Sequence, residues 1–93
     1  MVSKKVVLKN RGGLHVRPAG LFSNEMQKFL SDVWVFHKES FVSGKSIMNL
    51  IAAGIQCGDE VEIRCSGEDE EEALARAVEL VETGLGEAEG GRP

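Results

Sequence analysis

The chain has 93 residues, which is enough for one domain with a single hydrophobic core. Apolar residues make up 42% and charged residues 28% of it, a balance typical of soluble globular proteins. Its two cysteines, Cys57 and Cys65, provide neither a second pair for a zinc site nor a disulfide framework. The first apolar stretch, Val6–Leu8, is too short for a signal peptide or a membrane span, so we expect a cytoplasmic protein without membrane insertion.

The net charge of −4 is unevenly spread along the chain. Residues 1–49 contain eight Lys/Arg and three Asp/Glu (net +5), whereas residues 50–93 contain three Arg and twelve Asp/Glu (net −9). Two compatible interpretations are a solvated acidic helix near the C-terminus and a basic half that steers anions or acidic partners toward one face. Aromatic residues are few and do not alternate with basic ones, so a nucleic-acid partner is not expected.

Hydrophobic periodicity predicts seven elements in the order strand, helix, strand, strand, helix, strand, helix. The alternation is clearest in the fourth strand, where Val61, Ile63 and Cys65 share one face and charged residues occupy the other. The predicted strands are Lys4–Lys9, Val33–His37, Ser40–Val42 and Glu60–Cys65.

The predicted helices have recognisable starts. The first begins close to His15, Ser46 is a typical N-cap for a short helix over Ile47–Ala53, and the acidic run Asp69–Glu72 suits the start of the last. One-sided strands and single-stripe helices together predict a two-layer α+β domain over residues 1–86, with a flexible tail at 87–93. The apolar stripes are Ala19, Phe22, Met26 and Phe29 or Leu30 in the first helix, and Leu74, Val78, Val81 and Leu85 in the last.

The densest group of chemically competent residues is Gly12–Pro18. A histidine between a glycine loop and a helix start lies near free backbone amides, which favour an anion. His15 is a competent nucleophile toward phosphorus, and Arg17 can bind two phosphate oxygens. The spacing alone also allows His15 to be an ordinary helix cap and Arg17 an ordinary surface charge.

A second group, Ser43–Met48, contains Gly-Lys-Ser but does not form a nucleotide-binding P-loop, because position 39 is Glu39 where that motif needs glycine. Ser46 is either a simple helix cap or a phosphorylatable hydroxyl at a helix start. Ile47, Met48 and Ile51 are unusual for a fully solvated helix, so they belong to the core or to a docking patch beside His15.

Together these groups resemble the HPr family, the histidine phosphocarriers of the bacterial phosphoenolpyruvate:sugar phosphotransferase system. The resemblance covers residues 2 to about 86 with no evident insertion. The matching stretches are Gly13–Ala19, Gly44–Met48, Gly54-Ile55, Gly58–Val61 and the acidic start of the last helix.

The resemblance implies an open-faced β-sandwich, with four antiparallel strands and three helices on one face (βαββαβα). It implies a phosphoryl carrier, not an enzyme, that needs no cofactor or metal and works as a monomer. His15 would accept the phosphoryl group from enzyme I on Nδ1 and donate it to the A components of sugar permeases, with Arg17 stabilising the group in transfer. Ser46 matches the regulatory site for HPr kinase/phosphorylase, whose product can bind a transcription regulator. The docking positions map onto Gly20, Leu21, Asn24, Gln27, Ile47, Met48 and Ile51.

The chain departs from the family pattern in three ways. Val16 replaces the usual alanine, and Gly12 replaces a serine or threonine. Asn24, Gln27 and Asn49 are uncharged where some members carry lysine, which weakens the electrostatic rim. Alternative roles are a regulatory module acting through Ser46 and a carrier of the nitrogen-related branch. A metal or redox protein is disfavoured, because the histidines and cysteines match no ligand spacing.

The second strand raises a separate hypothesis. If Val33 and Val35 face the core, Trp34 and Phe36 lie on the open face of the sheet, with Val7 beside them. Either the C-terminal tail or a neighbouring strand covers them, or they form a second contact surface such as a homodimer interface. His37 is expected at the surface, and Cys65 in the core. Cys57 is expected in a turn, where a reactive thiol is possible.

Overall fold

The chain forms four strands and three helices within its described residues. A computed structural model describes residues 1–86, so the expected tail at 87–93 lies outside the described residues. The elements are β1 (Val2–Val7), α1 (Val16–Met26), β2 (Asp32–His37), β3 (Ser40–Ser43), α2 (Ile47–Ala52), β4 (Glu60–Ser66) and α3 (Glu70–Glu82).

The four strands form one antiparallel sheet in the order β1-β4-β2-β3. The helices cover one face of this sheet and leave the other open, so the predicted α+β architecture is confirmed. The strand β1 begins two residues earlier than predicted, because Val2 pairs with Cys65 at the far end of β4. Leu8 and Lys9, which were expected to extend β1, instead start the loop that leads to the first helix.

Side-chain alternation along the strands builds the floor of the core. Val33, Val35 and Ile63 are at most 3% exposed and face the helices. Phe22 and Leu50 close the core from α1 and α2. The predicted core position of Cys65 is confirmed, and burial raises the pKa of its thiol to about 11.

The predicted stripe of α3 is partly wrong. Ala73, Ala77 and Leu80 are buried together with Val81, whereas Leu74 and Val78 are only partly buried. Small side chains at the closest contact let the helix approach the sheet, so the large residues lie at the flank. Leu85 is buried as predicted, but it lies beyond the end of the helix, after the left-handed Gly84 (φ +87°).

The start of α3 is tied to the end of the turn that follows α1. Asp69 occupies the N-cap position of α3 but makes no side-chain capping bond. Its carboxylate accepts the N–H groups of Leu30 and Ser31, both at 2.9 Å, and the Ser31 hydroxyl at 2.6 Å. These donors, the Ser31 hydroxyl foremost, hold the pKa of the Asp69 carboxyl below its usual value. We call this arrangement the Asp69 clasp.

The open face of the sheet carries an aromatic cluster, as predicted for Trp34 and Phe36. Phe41 on the neighbouring strand stacks on Phe36 and meets Trp34 edge-on, with ring centroids 5.1 and 5.6 Å apart. The Arg64 guanidinium lies 4.1 Å above the Phe36 ring centroid. A neighbouring strand therefore covers part of the cluster, yet Trp34 keeps 36% of its surface exposed, and Val7 keeps 44%.

Candidate functional site

The loop before α1 is held by its own backbone and by the turn that precedes β4. The Asn10 side-chain amide donates to the Gly13 carbonyl at 2.6 Å, and the Gly13 N–H returns to the Asn10 carbonyl at 3.0 Å. The Leu14 N–H donates to the Ile55 carbonyl at 2.9 Å. Gly13 has φ +68°, and a Cβ there would lie 2.7 Å from the Ile55 oxygen, so only glycine fits. The backbone contacts of Gly13 and Leu14 therefore fix the position of the His15 backbone.

His15 occupies the N-cap position of α1 with an extended backbone (φ −89°, ψ −166°). Its carbonyl accepts the first helical bond, from the Ala19 N–H at 2.9 Å. His15 thus stands at the cap position that the alternative interpretation gave it, but its imidazole makes no side-chain capping hydrogen bond. The first turn of α1 contains no acidic residue, which leaves the positive end of the helix to be balanced by another anion.

The absence of a side chain at Gly12 determines where the His15 ring lies. A Cβ built on Gly12 would lie 2.7 Å from His15 Cδ2 and 2.8 Å from Nε2. The ring therefore occupies space that a serine or threonine would fill. Because Cδ2 and Nε2 form one edge of the imidazole, Nδ1 belongs to the edge that is turned away from Gly12.

Arg17 is exposed in the first turn of α1, two residues after His15. Pro18 follows in the same turn and is buried, where its missing N–H leaves no helical bond unmade. Val16 is 61% exposed, so its extra bulk relative to alanine faces solvent instead of the core. The helix start thus presents a cation and an imidazole on an accessible surface.

Ser46 is the N-cap of α2, as predicted. Its hydroxyl accepts the Asn49 N–H at 3.3 Å, and the residue is only partly buried. The short helix that Ser46 starts packs closely against α1. A Cβ added to Gly20 would lie only 3.3 Å from the Ile47 methyl carbon Cδ1. The Gln27 amide also donates to the Lys45 carbonyl at 3.0 Å, which ties the residue before Ser46 to α1.

The seven predicted docking positions all belong to α1, α2 and the residue after α1. Met48 is 70% exposed, whereas the apolar Ile47 and Ile51 are partly buried against the core. Ile47 and Ile51 therefore contribute to the core, while Met48 lies at the surface and its role in docking stays a prediction. The remaining positions are partly or fully exposed: Gly20, Leu21, Asn24 and Gln27.

Comparison with known proteins gives the same family that the residues indicated. The family model described as the PTS HPr component phosphorylation site matches residues 2–83. The chain belongs to the HPr family. It is therefore a phosphocarrier protein of the phosphotransferase system and not an enzyme.

Relatives with two different names are similar to this HPr-family chain. The HPr-like protein Crh of Bacillus subtilis is 40% identical over 82 residues, which is 88% of this chain and 96% of Crh. Phosphocarrier protein HPr of Neisseria meningitidis (serogroup A) is 35% identical over 89 residues, covering 96% and 100% of the two chains.

Solved structures agree with the fold. The crystal structure of HPr-C-His from Thermoanaerobacter tengcongensis has a TM-score of 0.91 at 39% identity and covers 96% of this chain and all of that one. A second structure from that organism, described as an HPr dimer, has a TM-score of 0.74 at 40% identity over 94% of this chain and all of that one. The open-faced βαββαβα fold implied by the family resemblance is confirmed.

One polar pair near the HPr-family loop was missed by sequence reasoning. His37 is buried, at 7% exposure, so its predicted surface position is wrong. Its Nε2 lies 2.9 Å from Asp59 Oδ2, whose carboxylate also accepts the Gln56 N–H at 2.9 Å. The Gln56 N–H and then His37 hold the pKa of the Asp59 carboxyl below its usual value. The signal was present in the strand alternation, which places His37 on the face of Val33 and Val35.

The remaining candidate chemistry is sparse in the described part of the chain. Cys57 is exposed in the turn before β4, with its thiol 3.6 Å from the Lys9 carbonyl oxygen. Within residues 1–86, no three or more His, Cys, Asp or Glu side chains come together as a potential metal site. No helix in this range has both the length and the apolar composition needed to cross a membrane.

Proposed function

We propose that His15 accepts a phosphoryl group from phosphorylated enzyme I and passes it to the A components of sugar permeases in the cytoplasm. The observation that carries this proposal is the placement of the imidazole at the N-terminus of α1, without a side-chain cap and without acidic neighbours in the first turn. The helix dipole and the backbone amides of the first turn favour a phosphoryl group. The contact of the Cδ2–Nε2 edge with Gly12 supports Nδ1 as the accepting atom.

The transfer needs no chemistry beyond what this surface offers. The lone pair of a neutral imidazole nitrogen forms the new N–P bond while the N–P bond of the donor histidine breaks, and the donor nitrogen keeps that electron pair. Charge on the equatorial oxygens is the main difficulty in a loose transition state. Arg17, exposed in the first turn, supplies a permanent positive charge for those oxygens.

Ser46 is proposed as a regulatory phosphorylation site for HPr kinase/phosphorylase. A phosphate would add about −1.5 to −2 charges at the start of α2, beside the exposed Met48 and the α1 surface. The docking surface proposed for enzyme I and the permease components consists of the seven positions on these elements. Phosphate at Ser46 would therefore repel acidic partners from it.

We propose a monomer as the working state. The dimer described for the Thermoanaerobacter tengcongensis protein makes self-association the alternative, and the Trp34 cluster is the surface that such an interface would cover. Sedimentation and Trp34 emission over a range of concentrations test this. A blue shift that grows with protein concentration would establish association through the open face.

The deciding experiment is intact-mass measurement after incubation with phosphoenolpyruvate, Mg²⁺ and a bacterial enzyme I. The wild type should gain one acid-labile phosphoryl group, and His15→Ala should gain none. His37→Gln is the matched control, since it removes the chain's other histidine and keeps a donor amide for Asp59. A gain that persists in His15→Ala would contradict the assignment.

A regulatory module acting through Ser46 is the second candidate, favoured by the 40% identity to Crh, a protein named as HPr-like. A carrier in a nitrogen-related phosphotransferase branch belongs to the same alternative. Incubation with ATP and HPr kinase should then give an acid-stable phosphate that Ser46→Ala abolishes and Ser43→Ala keeps. This result, together with no transfer from enzyme I, would replace the carrier proposal with a regulatory role that includes binding to a transcription regulator.

A further inference from the structure

The phosphoryl transfer proposed above does not use the buried imidazole of His37 as a reacting or phosphate-binding group. His37 stands at the last position of β2, on the face that packs toward the helices, and is 7% exposed. Its Nε2 lies 2.9 Å from Asp59 Oδ2. An ionised carboxylate only accepts hydrogen bonds, so Nε2 carries a hydrogen atom and donates a hydrogen bond to the Asp59 carboxylate. We call this pair the His37–Asp59 clasp.

Asp59 joins the clasp to a tightly bonded turn. Its carboxylate accepts the Gln56 N–H at 2.9 Å, and its own N–H donates to the Gln56 carbonyl at 3.0 Å. Its carbonyl accepts the Leu8 N–H at 2.9 Å, while the Gly58 N–H donates to the Leu8 carbonyl at 2.8 Å. The turn over residues 56–59 is therefore fixed to the end of β1 by its backbone and to the end of β2 by His37.

This turn and the residue before it support the loop that leads to His15. The Leu14 N–H donates to the Ile55 carbonyl at 2.9 Å. Gly13 packs so closely on the turn that a Cβ there would lie 2.8 Å from the Gln56 Cα. A displacement of the turn therefore moves the Gly13-Leu14 step, and with it the backbone of His15.

From this chain of contacts we propose that His37 is a positioning residue for phosphoryl transfer at His15, acting through Asp59 and the turn over residues 56–59. The inference rests on the proposed carrier function. Lys38, which follows His37 in the chain, also lowers the pKa of the Asp59 carboxyl through its positive charge. Phosphoryl transfer depends on alignment within fractions of an ångström, so a loosened turn lowers the rate without touching the reacting atoms.

The test compares rates of phosphorylation by enzyme I and phosphoenolpyruvate, well below the melting temperature of every variant. His37→Leu, which removes the donor, should slow phosphorylation about tenfold. His37→Gln, whose amide can still donate to Asp59, should recover a rate within about twofold of wild type. Asp69→Asn is the matched control, because it weakens a carboxylate clasp at the opposite end of the sheet.

Three results would overturn the inference: an unchanged rate in His37→Leu, no rescue by His37→Gln, or an equal loss in Asp69→Asn. The double variant His37→Leu/Asp59→Asn should be no slower than Asp59→Asn alone, because the substitution at Asp59 already alters the carboxylate that His37 contacts. If His37→Leu does not fold, Asp59→Asn decides alone by the presence or absence of slowing. Failure of the carrier proposal is recognised separately, since phosphate would then be absent from His15 in the wild type as well.

Discussion

At each end of the sheet an aspartate carboxylate joins two separate segments of the chain, but the two carboxylates support different parts of the molecule. At one end Asp69 accepts bonds from the Leu30 and Ser31 backbone and the Ser31 hydroxyl, and joins α3 to the turn after α1. At the other end Asp59 accepts bonds from Gln56 and His37, and lies under the loop of the proposed phosphoryl acceptor. The donors to Asp69 are two backbone N–H groups and a serine hydroxyl, whereas one donor to Asp59 is a buried imidazole on another strand.

This difference shows how a small fold separates stability from chemistry. A substitution at the Asp69 end affects how well α3 is held, because the Asp69 carboxylate accepts hydrogen bonds from Leu30 and Ser31. A substitution at the Asp59 end can displace the Gly13-Leu14 step, because Leu14 is hydrogen-bonded to Ile55 and Gly13 packs against Gln56. We therefore expect transfer rate and folding stability to respond to substitutions at opposite ends of the molecule.

The largest effect on transfer is expected from Arg17→Ala. Loss of the guanidinium should slow phosphorylation of His15 about 10²-fold, since no other charge in the first turn of α1 replaces it. The urea midpoint should stay unchanged because Arg17 is exposed. Rapid-quench measurements with enzyme I check the rate, and Arg11→Ala is the control on the same loop. Equal rates in both variants and the wild type would remove Arg17 from the mechanism.

A smaller effect, about tenfold, is expected from Gly12→Ala. The new Cβ would meet the His15 ring at 2.7 Å, and the flexible ring is the group that must move. Stability should change little, because rotation of an exposed imidazole requires no rearrangement of the core. Comparing the transfer rate with the melting temperature checks this. A large stability loss would show that the backbone, and not the ring, gives way.

Acid should weaken both carboxylate clasps in a defined pH range. The pKa values of Asp59 and Asp69 are lowered in the folded protein, so their stabilisation is present above the usual carboxyl pKa of about 4. It is lost as the pH falls through the lower folded values. Urea midpoints of the wild type should therefore fall below about pH 4 more steeply than those of Asp59→Asn or Asp69→Asn. Parallel curves would contradict the assigned pKa directions.

The smallest effect concerns the two thiols, which report separately on the two ends. Cys57, exposed near the His15 loop, should react promptly with a disulfide reagent at pH 8. Cys65, buried at the Asp69 end with a pKa of about 11, should react only when the protein opens. Cys57→Ser isolates the slow thiol and should leave transfer unchanged. Fast labelling of Cys65 in that variant would show that the Asp69 end of the sheet opens easily.

Local patterns of the sequence predicted most of the fold. Alternation located β4, and the spacing of Ala19, Phe22 and Met26 identified the buried face of α1. The stripe of α3 was only partly predicted, because Leu74 and Val78 fit helical spacing as well as the buried Ala73 and Ala77 do. Spacing alone does not show that small side chains occupy the contact with the sheet. Phe41, which completes the aromatic cluster, carried no signal beyond its place in a short strand.

The site was predictable where its parts are adjacent in sequence. Gly12, His15 and Arg17 form one local motif, and Ser46 is a local cap. Strand alternation indicated that His37 faces the core, but its pairing with Asp59 was not predictable, because the two residues are 22 positions apart in the sequence. The orientation of the imidazole likewise depends on space that only the folded loop defines.

The three helix starts differ in what balances their positive ends. The first turn of α2 is capped by the Ser46 hydroxyl, and the first turn of α3 contains three glutamates. The first turn of α1 has neither a side-chain capping bond nor an acidic residue. If His15 carries the phosphoryl group, that group becomes a removable cap for α1. A cap contributes about 0.5–2 kcal/mol, so the loaded form should be more stable than the empty one. The same energy lowers the tendency to release the group, so a carrier that must also donate has reason to keep this cap weak.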